Sequence, residues 1–371
     1  MKITDITFHT LRVPLVTPFK TAVREVTTTN DLIVCIHTAE GLLGYGAAPA
    51  TPVITGDTLD TMHAVIATVI RPALLGKPAT ALNACLHALH ASVQGNSSAK
   101  AAVEIALYDL WSQTLEVPLF QALGGDYQFA SQPKLTTDVT ISANAIDVML
   151  KDCQRAVSNG YQVLKIKAGK DPQTDRERIE AIADAFGHKC TLRLDINQGW
   201  TAKQTISTMR SLESKGYVFE LIEQPVAADD ISGLARITHA IETPVMADES
   251  VFSPTQALSL LKMNAADILN IKLMKTGGIS RGMQIARLAG LFHIPCMIGC
   301  MLEGSISVGA AAHFAVAFAD NVTLIDLDGP TLAKFNPVTG GCVFDNANIT
   351  LNASPGLGIQ SVSGLEDVKP M

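Results

Sequence analysis

Two lysines lie two positions apart in the stretch VLKIKAGK, residues 163–170. The apolar residues around Lys165 and Lys167 predict a short buried strand, on which side chains two positions apart share one face. A second run, NIKLMK, places Lys272 at the end of another short strand. The lysines could be strand-end cations neutralised by nearby acids. Lysines that face each other across one site indicate instead proton transfer on two faces of a bound molecule.

Three carboxylates, Asp195, Glu223 and Asp248, end apolar runs between the two lysine segments. Successive separations from Lys167 through these acids to Lys272 are 28, 28, 25 and 24 residues, which is one strand and one helix each time. Converging carboxylates repel one another, and Mg²⁺ would relieve this repulsion because it prefers carboxylate oxygens. Each acid alone could cap the following helix. Three acids in register with lysine-bearing strands favour a metal site.

The elements that carry these residues predict an α/β fold with a parallel (β/α) barrel, since eight short β-rich runs alternate with helical stretches. The runs are LTTDVTIS, QVLKIKAG, CTLRLDIN, FELIEQPV, TPVMADES, DILNIKLM, IPCMIGCM and VTLIDLDG. Residues 2–13 and 31–38 alternate apolar and polar side chains, which predicts an N-terminal antiparallel sheet.

A helical block is expected between residues 57 and 116, with Ser97 or Ser98 capping its last helix. The turn-rich C-terminus should leave the barrel and rejoin the N-terminal sheet. We therefore expect three regions: a capping domain over 1–125, a barrel over 126–335, and a C-terminal segment over 336–371 that returns to the cap.

Composition narrows the class of protein. Charged residues make up 17% of the 371 residues, and the net charge of −7 comes without a basic tract, which disfavours nucleic-acid binding. The start of the chain lacks an apolar signal region and no apolar run is long enough to cross a membrane, so a cytoplasmic protein without a membrane partner is expected. Seven scattered cysteines without a CxxC pair predict buried thiols rather than a zinc site.

The ordered motifs KIK, LRLDINQGW, IEQP, ADES and NIKLMKTGGI resemble the enolase superfamily, in its muconate-lactonising subgroup, over nearly the whole chain. The resemblance implies a modified (β/α)7β TIM barrel with an α+β capping domain. It also implies one Mg²⁺ per subunit, held by Asp195, Glu223 and Asp248. Asn197, two residues after Asp195, would support this metal shell.

The same resemblance implies that Lys167 and Lys272 are the opposed acid/base pair, with Lys165 as an electrostatic helper. Burial and neighbouring positive charge both lower the pKa of a lysine, so Lys165 is expected to make Lys167 a better base. Members of the superfamily use such bases, with magnesium stabilising an enediolate intermediate. Relatives often form homo-oligomers, and a homo-oligomer is expected here.

Within the subgroup, the chain is similar to dipeptide epimerases. In LIDLDGP, Asp326 and Asp328 match a pair that holds the free ammonium group of a dipeptide. Arg24, in FKTAVREVTTT, matches an arginine that meets a glutamate side chain in glutamate-specific members. Thr140 aligns with a substrate-contacting threonine, and TPVITGDT resembles a second capping loop. The implied activity is an isomerase that moves a proton at the α-carbon of the C-terminal residue of a dipeptide such as L-Ala-D/L-Glu.

Several other readings of the sequence stay open. A muconate cycloisomerase or an o-succinylbenzoate synthase would not need the two aspartates, because their substrates carry no ammonium group. A Schiff-base lysine aldolase in a (β/α) barrel is an alternative from another class. Glu249 should point away from the site if its strand continues past Asp248. In GCMLEGS, Gly304 follows Glu303 where subgroup members usually have serine, which leaves the contribution of the seventh strand open.

Overall fold

The computed structural model describes residues 1–20, 25–126 and 132–368. Arg24 lies outside these ranges. The first described part is an antiparallel sheet built from strands β1 (Ile3–Lys20), β2 (Glu25–Thr38) and β3 (Leu43–Pro49). The predicted antiparallel sheet is present, but residues 31–36 of β2 are buried on both faces of the strand rather than on alternate side chains.

Helices cover the buried face of this sheet. They are α1 (Leu59–Val65), a π-helical segment (Ile66–Ile70), α2 (Arg71–Leu74), α3 (Leu82–Ser92), α4 (Ser97–Thr114) and α5 (Leu119–Ala122). A side chain on Gly46 of β3 would collide with the backbone oxygen of Ala102, so this glycine lets α4 pack directly on the sheet. Although α4 is almost wholly buried, no helix in the described ranges is long and apolar enough to span a membrane.

The expected serine cap of α4 is wrong. Asn96 occupies the position before the helix, and its side chain caps no backbone group. The carboxylate of Asp57 instead accepts a hydrogen bond from the N–H of Ser98 at 2.9 Å. A side chain 41 residues away therefore satisfies the start of the helix.

The α/β barrel is confirmed. Its eight parallel strands pair in chain order: β5 (Val139–Ile141), β6 (Val163–Lys167), β7 (Thr191–Asp195), β8 (Leu221–Glu223), β9 (Val245–Ala247), β10 (Ile268–Lys272), β11 (Cys296–Gly299) and β12 (Val322–Asp326). The connecting helices are α6 (Ile146–Ser158), α7 (Pro172–Phe186), α8 (Ala202–Ser214), α9 (Ile231–Thr238), α10 (Pro254–Lys262), α11 (Leu273–Thr276), α12 (Ile279–Leu291), α13 (Ser305–Ala317) and α14 (Gly329–Leu332).

Side chains close the barrel between its first and eighth strands. Thr137 Oγ1 accepts a hydrogen bond from the N–H of Leu327 at 2.8 Å. Arg193 donates to the carbonyl oxygen of Ile325 at 2.9 Å and to the carboxylate of Asp138 at 2.7 Å. These bonds join the segment that precedes β5 to the last residues of β12 and the residue that follows it.

The C-terminal segment first pairs with the strand that precedes the barrel and then returns to the cap. Strands β14 (Val343–Asp345) and β15 (Asn348–Thr350) form a small sheet with β4 (Lys134–Thr136), which precedes the barrel. Strands β13 (Val338–Gly340) and β16 (Ile359–Val362) pair with each other. The last strand, β17 (Glu366–Asp367), joins the edge of β1 in the N-terminal sheet. The expected return is confirmed, while the three domain boundaries stay predictions.

Candidate active site

The charged strand ends meet at one opening of the barrel. Lys167 is the register partner of Asp195, and Asp195 is the register partner of Glu223, so three neighbouring strands carry charge at one height. Lys272 ends β10, four strands around from β6. In an eight-stranded barrel, that separation puts the two lysines on opposite sides.

Each lysine ammonium contacts a carboxylate. Lys167 contacts Asp195, and Lys165 contacts Asp326 and lies 3.4 Å from Glu223. Lys272 Nζ lies 2.8 Å from Asp248 Oδ2 and 3.8 Å from Glu223 Oε1. The cations therefore compensate buried negative charges that would otherwise repel one another.

The neighbouring carboxylates set the direction of the pKa shift of Lys165 and of Lys272. Burial favours neutral Lys165, but Asp326, Glu223 and Asp195 outweigh it and raise its pKa well above the ordinary value. For Lys272, burial is likewise outweighed by Asp248 and Glu223, so its pKa is raised. Lys165 is thus a fixed positive charge in this network.

The donor set fits a magnesium ion in its chemistry. Glu223 Oε2, Glu249 Oε2 and Asn197 Oδ1 are buried oxygens that accept no hydrogen bond. Asn197 donates its N–H to Asp195 Oδ1 at 2.9 Å and its amide group to Glu249 Oε1 at 3.3 Å. Oxygen atoms of this kind are the ligands that Mg²⁺ prefers. Within the described ranges, no three His, Cys, Asp or Glu side chains are grouped so that they could hold a metal ion. Lysine ammonium groups lie among these carboxylates.

The two aspartates at the end of the eighth strand line the same cavity as the lysines. Strand β12 ends at Asp326, and Asp328 is the residue before α14. Asp328 Oδ2 accepts a hydrogen bond from the N–H of Thr140 at 2.7 Å. The cavity has a volume of about 60 Å³, and Phe19 and Ile54 of the cap line it. Ile54 belongs to the TPVITGDT loop.

Two domain families match almost the whole chain. Residues 3–124 match the mandelate racemase / muconate lactonizing enzyme N-terminal domain, and residues 148–362 match the enolase C-terminal domain-like family. The chain belongs to the enolase superfamily. Among members of this superfamily, an L-Ala-D/L-Glu epimerase from Clostridium acetobutylicum is 46% identical over 363 residues, covering 98% of this chain and 100% of the relative.

Solved structures of enolase superfamily members are also similar. A substrate-liganded complex of the L-Ala-D/L-Glu epimerase from Bacillus subtilis is 44% identical and has a TM-score of 0.94, covering 98% of this chain and 100% of that one. A dipeptide epimerase from Enterococcus faecalis, complexed with Mg and L-Leu-L-Tyr, is 36% identical with a TM-score of 0.92, covering 97% and 100%.

Sequence reasoning missed two residues of the site. Glu249 would point away only if β9 continued past Asp248, but β9 ends at Ala247, and the chain turns so that Glu249 lines the cavity beside Asp248. Lys275 lies in the short helix α11 and contacts Asp248 from outside the cavity. The alternation of a strand could reveal neither residue, because both lie beyond the end of a strand.

Proposed function

We propose that this member of the enolase superfamily is a Mg²⁺-dependent dipeptide epimerase, an isomerase that inverts the α-carbon of the C-terminal residue. The observation that carries the proposal is that Lys167 and Lys272 line one cavity from opposite sides of the barrel. Inversion at carbon needs a proton removed from one face and another delivered to the opposite face. The sequence relatives that are epimerases support the same assignment.

Asp195, Glu223 and Asp248 would hold the metal. When bound, Mg²⁺ supplies positive charge that stabilises the carboxylate of the substrate as negative charge builds up on it. Lys167 or Lys272, depending on the enantiomer, takes the α-proton, and the other lysine returns a proton to the resulting enediolate. Lys165 stays charged between Asp326 and Glu223 and keeps the local field positive.

Asp326 and Asp328 support a dipeptide substrate. Both are buried acids that line the cavity, and a substrate ammonium group is the partner that such a pair favours. The similarity to proteins named L-Ala-D/L-Glu epimerases supports an acidic C-terminal residue in the substrate. Thr140 contributes its backbone N–H to hold Asp328. Contact between Arg24 and a substrate carboxylate stays a prediction, as do the cytoplasmic location and the homo-oligomer.

The test is deuterium incorporation from D₂O, followed by mass spectrometry across a dipeptide library, with and without Mg²⁺. We expect exchange at the C-terminal α-carbon of dipeptides with a free amino group, and only with the metal. Conversion of muconate or of o-succinylbenzoate precursors, without exchange of any dipeptide, would support the other members of the subgroup. Borohydride trapping of a carbonyl substrate together with insensitivity to EDTA would support the aldolase.

A further inference from the structure

Gly304 has a backbone conformation that any residue can adopt. It precedes helix α13 with φ −83° and ψ −178°, so backbone strain does not explain a glycine at this position. A Cβ atom built on Gly304 would lie 2.6 Å from Oδ2 of Asp31, and the next nearest atom is Cγ of the same side chain at 3.9 Å. The close approach of a single carboxylate therefore explains the glycine.

Asp31 comes from the middle strand of the cap sheet. It pairs with Leu11 on one side and with Pro49 on the other, and its side chain is 2% exposed. Asp31 Oδ2 accepts a hydrogen bond from the N–H of Gly304 at 2.8 Å, while Oδ1 accepts none. This bond joins the cap to the start of α13, 273 residues farther along the chain.

A second buried acid, Glu303, lines the same small cavity as Asp31 and Gly304. Glu303 is 3% exposed, and its Oε1 accepts a hydrogen bond from the N–H of Met301 at 2.7 Å. Burial first, and then repulsion from Glu303, raise the pKa of Asp31 to about 7; burial also raises the pKa of Glu303. Glu303 is the charged group that acts on Asp31. Lys272, at the end of β10, is the cation that acts on Glu303. When one of the two acids is protonated, only one negative charge remains, and the repulsion between Asp31 and Glu303 is removed.

The joined segments form two walls of the active-site cavity. The loop that Glu303 holds carries Cys300, Met301 and Leu302, which line the cavity. The sheet that contains Asp31 also contains Phe19, which lines the cavity from the cap. A change in the contact between Asp31 and Gly304 would therefore shift the cap wall against the barrel wall.

We propose that Asp31 is a positioning residue which fixes the cap sheet to the loop after the seventh strand, and that this joint holds only while Asp31 and Glu303 together carry one proton. The joint sets the distance between the two walls that surround the dipeptide. Loss of the proton at alkaline pH leaves two buried negative charges against each other, and the cap wall moves away from the substrate.

The first test compares the wild-type protein with Asp31→Asn by chemical unfolding between pH 4 and pH 9. The folded chain binds the proton of Asp31 more tightly than the unfolded chain does, so the stability that Asp31 contributes should be lost as the pH rises from about 4 to 7. Asparagine can accept the same hydrogen bond without a charge. We expect the ratio of the unfolding constant of the wild type to that of Asp31→Asn to rise at least tenfold between pH 5 and 8. Parallel pH profiles would overturn the proposal.

The kinetic test follows KM for the dipeptide over the same range and rests on the proposed epimerase activity, whereas the unfolding test does not. KM of the wild type should rise several-fold above pH 7 while KM of Asp31→Asn stays level, with kcat following one profile in both. Equal KM profiles in both proteins would overturn the positioning role. Absence of any dipeptide turnover, with the unfolding difference intact, would overturn the proposed function alone.

A double-mutant cycle tests the close approach independently. Gly304→Ala should destabilise the protein and raise KM, because the new methyl group meets Asp31. In an Asp31→Ala background, the same change should have little further effect. Gly309→Ala is the matched control, since its Cβ would meet only Cys342 Sγ at an ordinary 3.7 Å. If Gly304→Ala destabilises the protein equally in both backgrounds, the close approach of Asp31 does not explain the glycine. This comparison can be made even if Asp31→Asn fails to fold.

Discussion

Lys275 Nζ lies 2.5 Å from Oδ1 of Asp248 and 2.5 Å from the backbone carbonyl oxygen of the same residue. A third bond, to the carbonyl oxygen of Asn270 at 3.0 Å, uses the last donor of this fully buried ammonium group. The ring of Phe252 lies beside it, with its centroid 5.6 Å away. Lys275 therefore holds Asp248 from outside the cavity, while Lys272 approaches the other oxygen from inside.

Replacement of Lys275 by methionine should destabilise the protein by about 3 kcal/mol or more. The change leaves one buried carboxylate with less compensation and two buried carbonyl oxygens without their donor. The measurement is urea unfolding of the variant and the wild type. Lys262→Met, at an exposed position of the preceding helix, is the control and should change the free energy of unfolding by less than about 0.5 kcal/mol. Equal effects of the two changes would contradict the role given to Lys275.

Asp328→Asn should impair turnover of dipeptides with a free amino group. The amide oxygen of asparagine can still accept the hydrogen bond from Thr140, so the change removes charge while preserving that contact. We expect kcat/KM to fall roughly a hundredfold, as for loss of one partner from a buried charged pair. Steady-state kinetics with N-acetylated dipeptides provide the comparison. If the variant loses as much activity on N-acetylated as on free dipeptides, Asp328 does not bind the ammonium group.

The residues at the ends of the strands could be predicted because each unit of one strand and one helix has nearly the same length. That regularity places Lys167, Asp195 and Glu223 at one height before any contact is known. Asp31 could not be found this way, since its importance depends on contact with Gly304, 273 residues away. The pKa direction of Lys272 also required the structure, because it depends on which carboxylates lie nearest.

His313 should make the protein less stable below neutral pH. Its ring is buried, Nδ1 accepts a hydrogen bond from the N–H of Phe120 at 3.1 Å, and Nε2 has no partner. Burial lowers its pKa from 6.5 to about 3. Between these values the unfolded chain binds the proton, so stability is present above pH 6.5 and is lost as the pH falls, by up to roughly tenfold in the folding constant per unit.

The test of this prediction is urea unfolding of His313→Gln between pH 7 and pH 4. The variant should lose less stability than the wild type over that range, because glutamine does not titrate. His87→Gln, at an exposed position, is the control and should retain the slope of the wild type. A wild-type slope in His313→Gln would show that the ring is not the source of the acid sensitivity.

Metal removal should abolish activity and lower the melting temperature. A ligand that binds only the folded state stabilises it by mass action, so Mg²⁺ added after EDTA treatment should restore both. Glu223→Gln should reduce the stabilisation by Mg²⁺, since it removes the charge of one ligand, while Glu242→Gln, at an exposed position, should not. Differential scanning fluorimetry over a Mg²⁺ titration measures the effect directly. An unchanged shift in Glu223→Gln would exclude that residue as a ligand.

The central claim is that Lys167 and Lys272 serve opposite faces of one α-carbon. It is tested most directly by proton nuclear magnetic resonance in D₂O with each enantiomer of the C-terminal residue, using Lys167→Ala, Lys272→Ala and the exposed control Lys170→Ala. We predict that both site variants lose epimerisation, that each retains exchange with one enantiomer only, and that the enantiomers differ, while Lys170→Ala behaves as the wild type. Wild-type epimerisation in either site variant, or exchange of the same enantiomer in both, would contradict the claim.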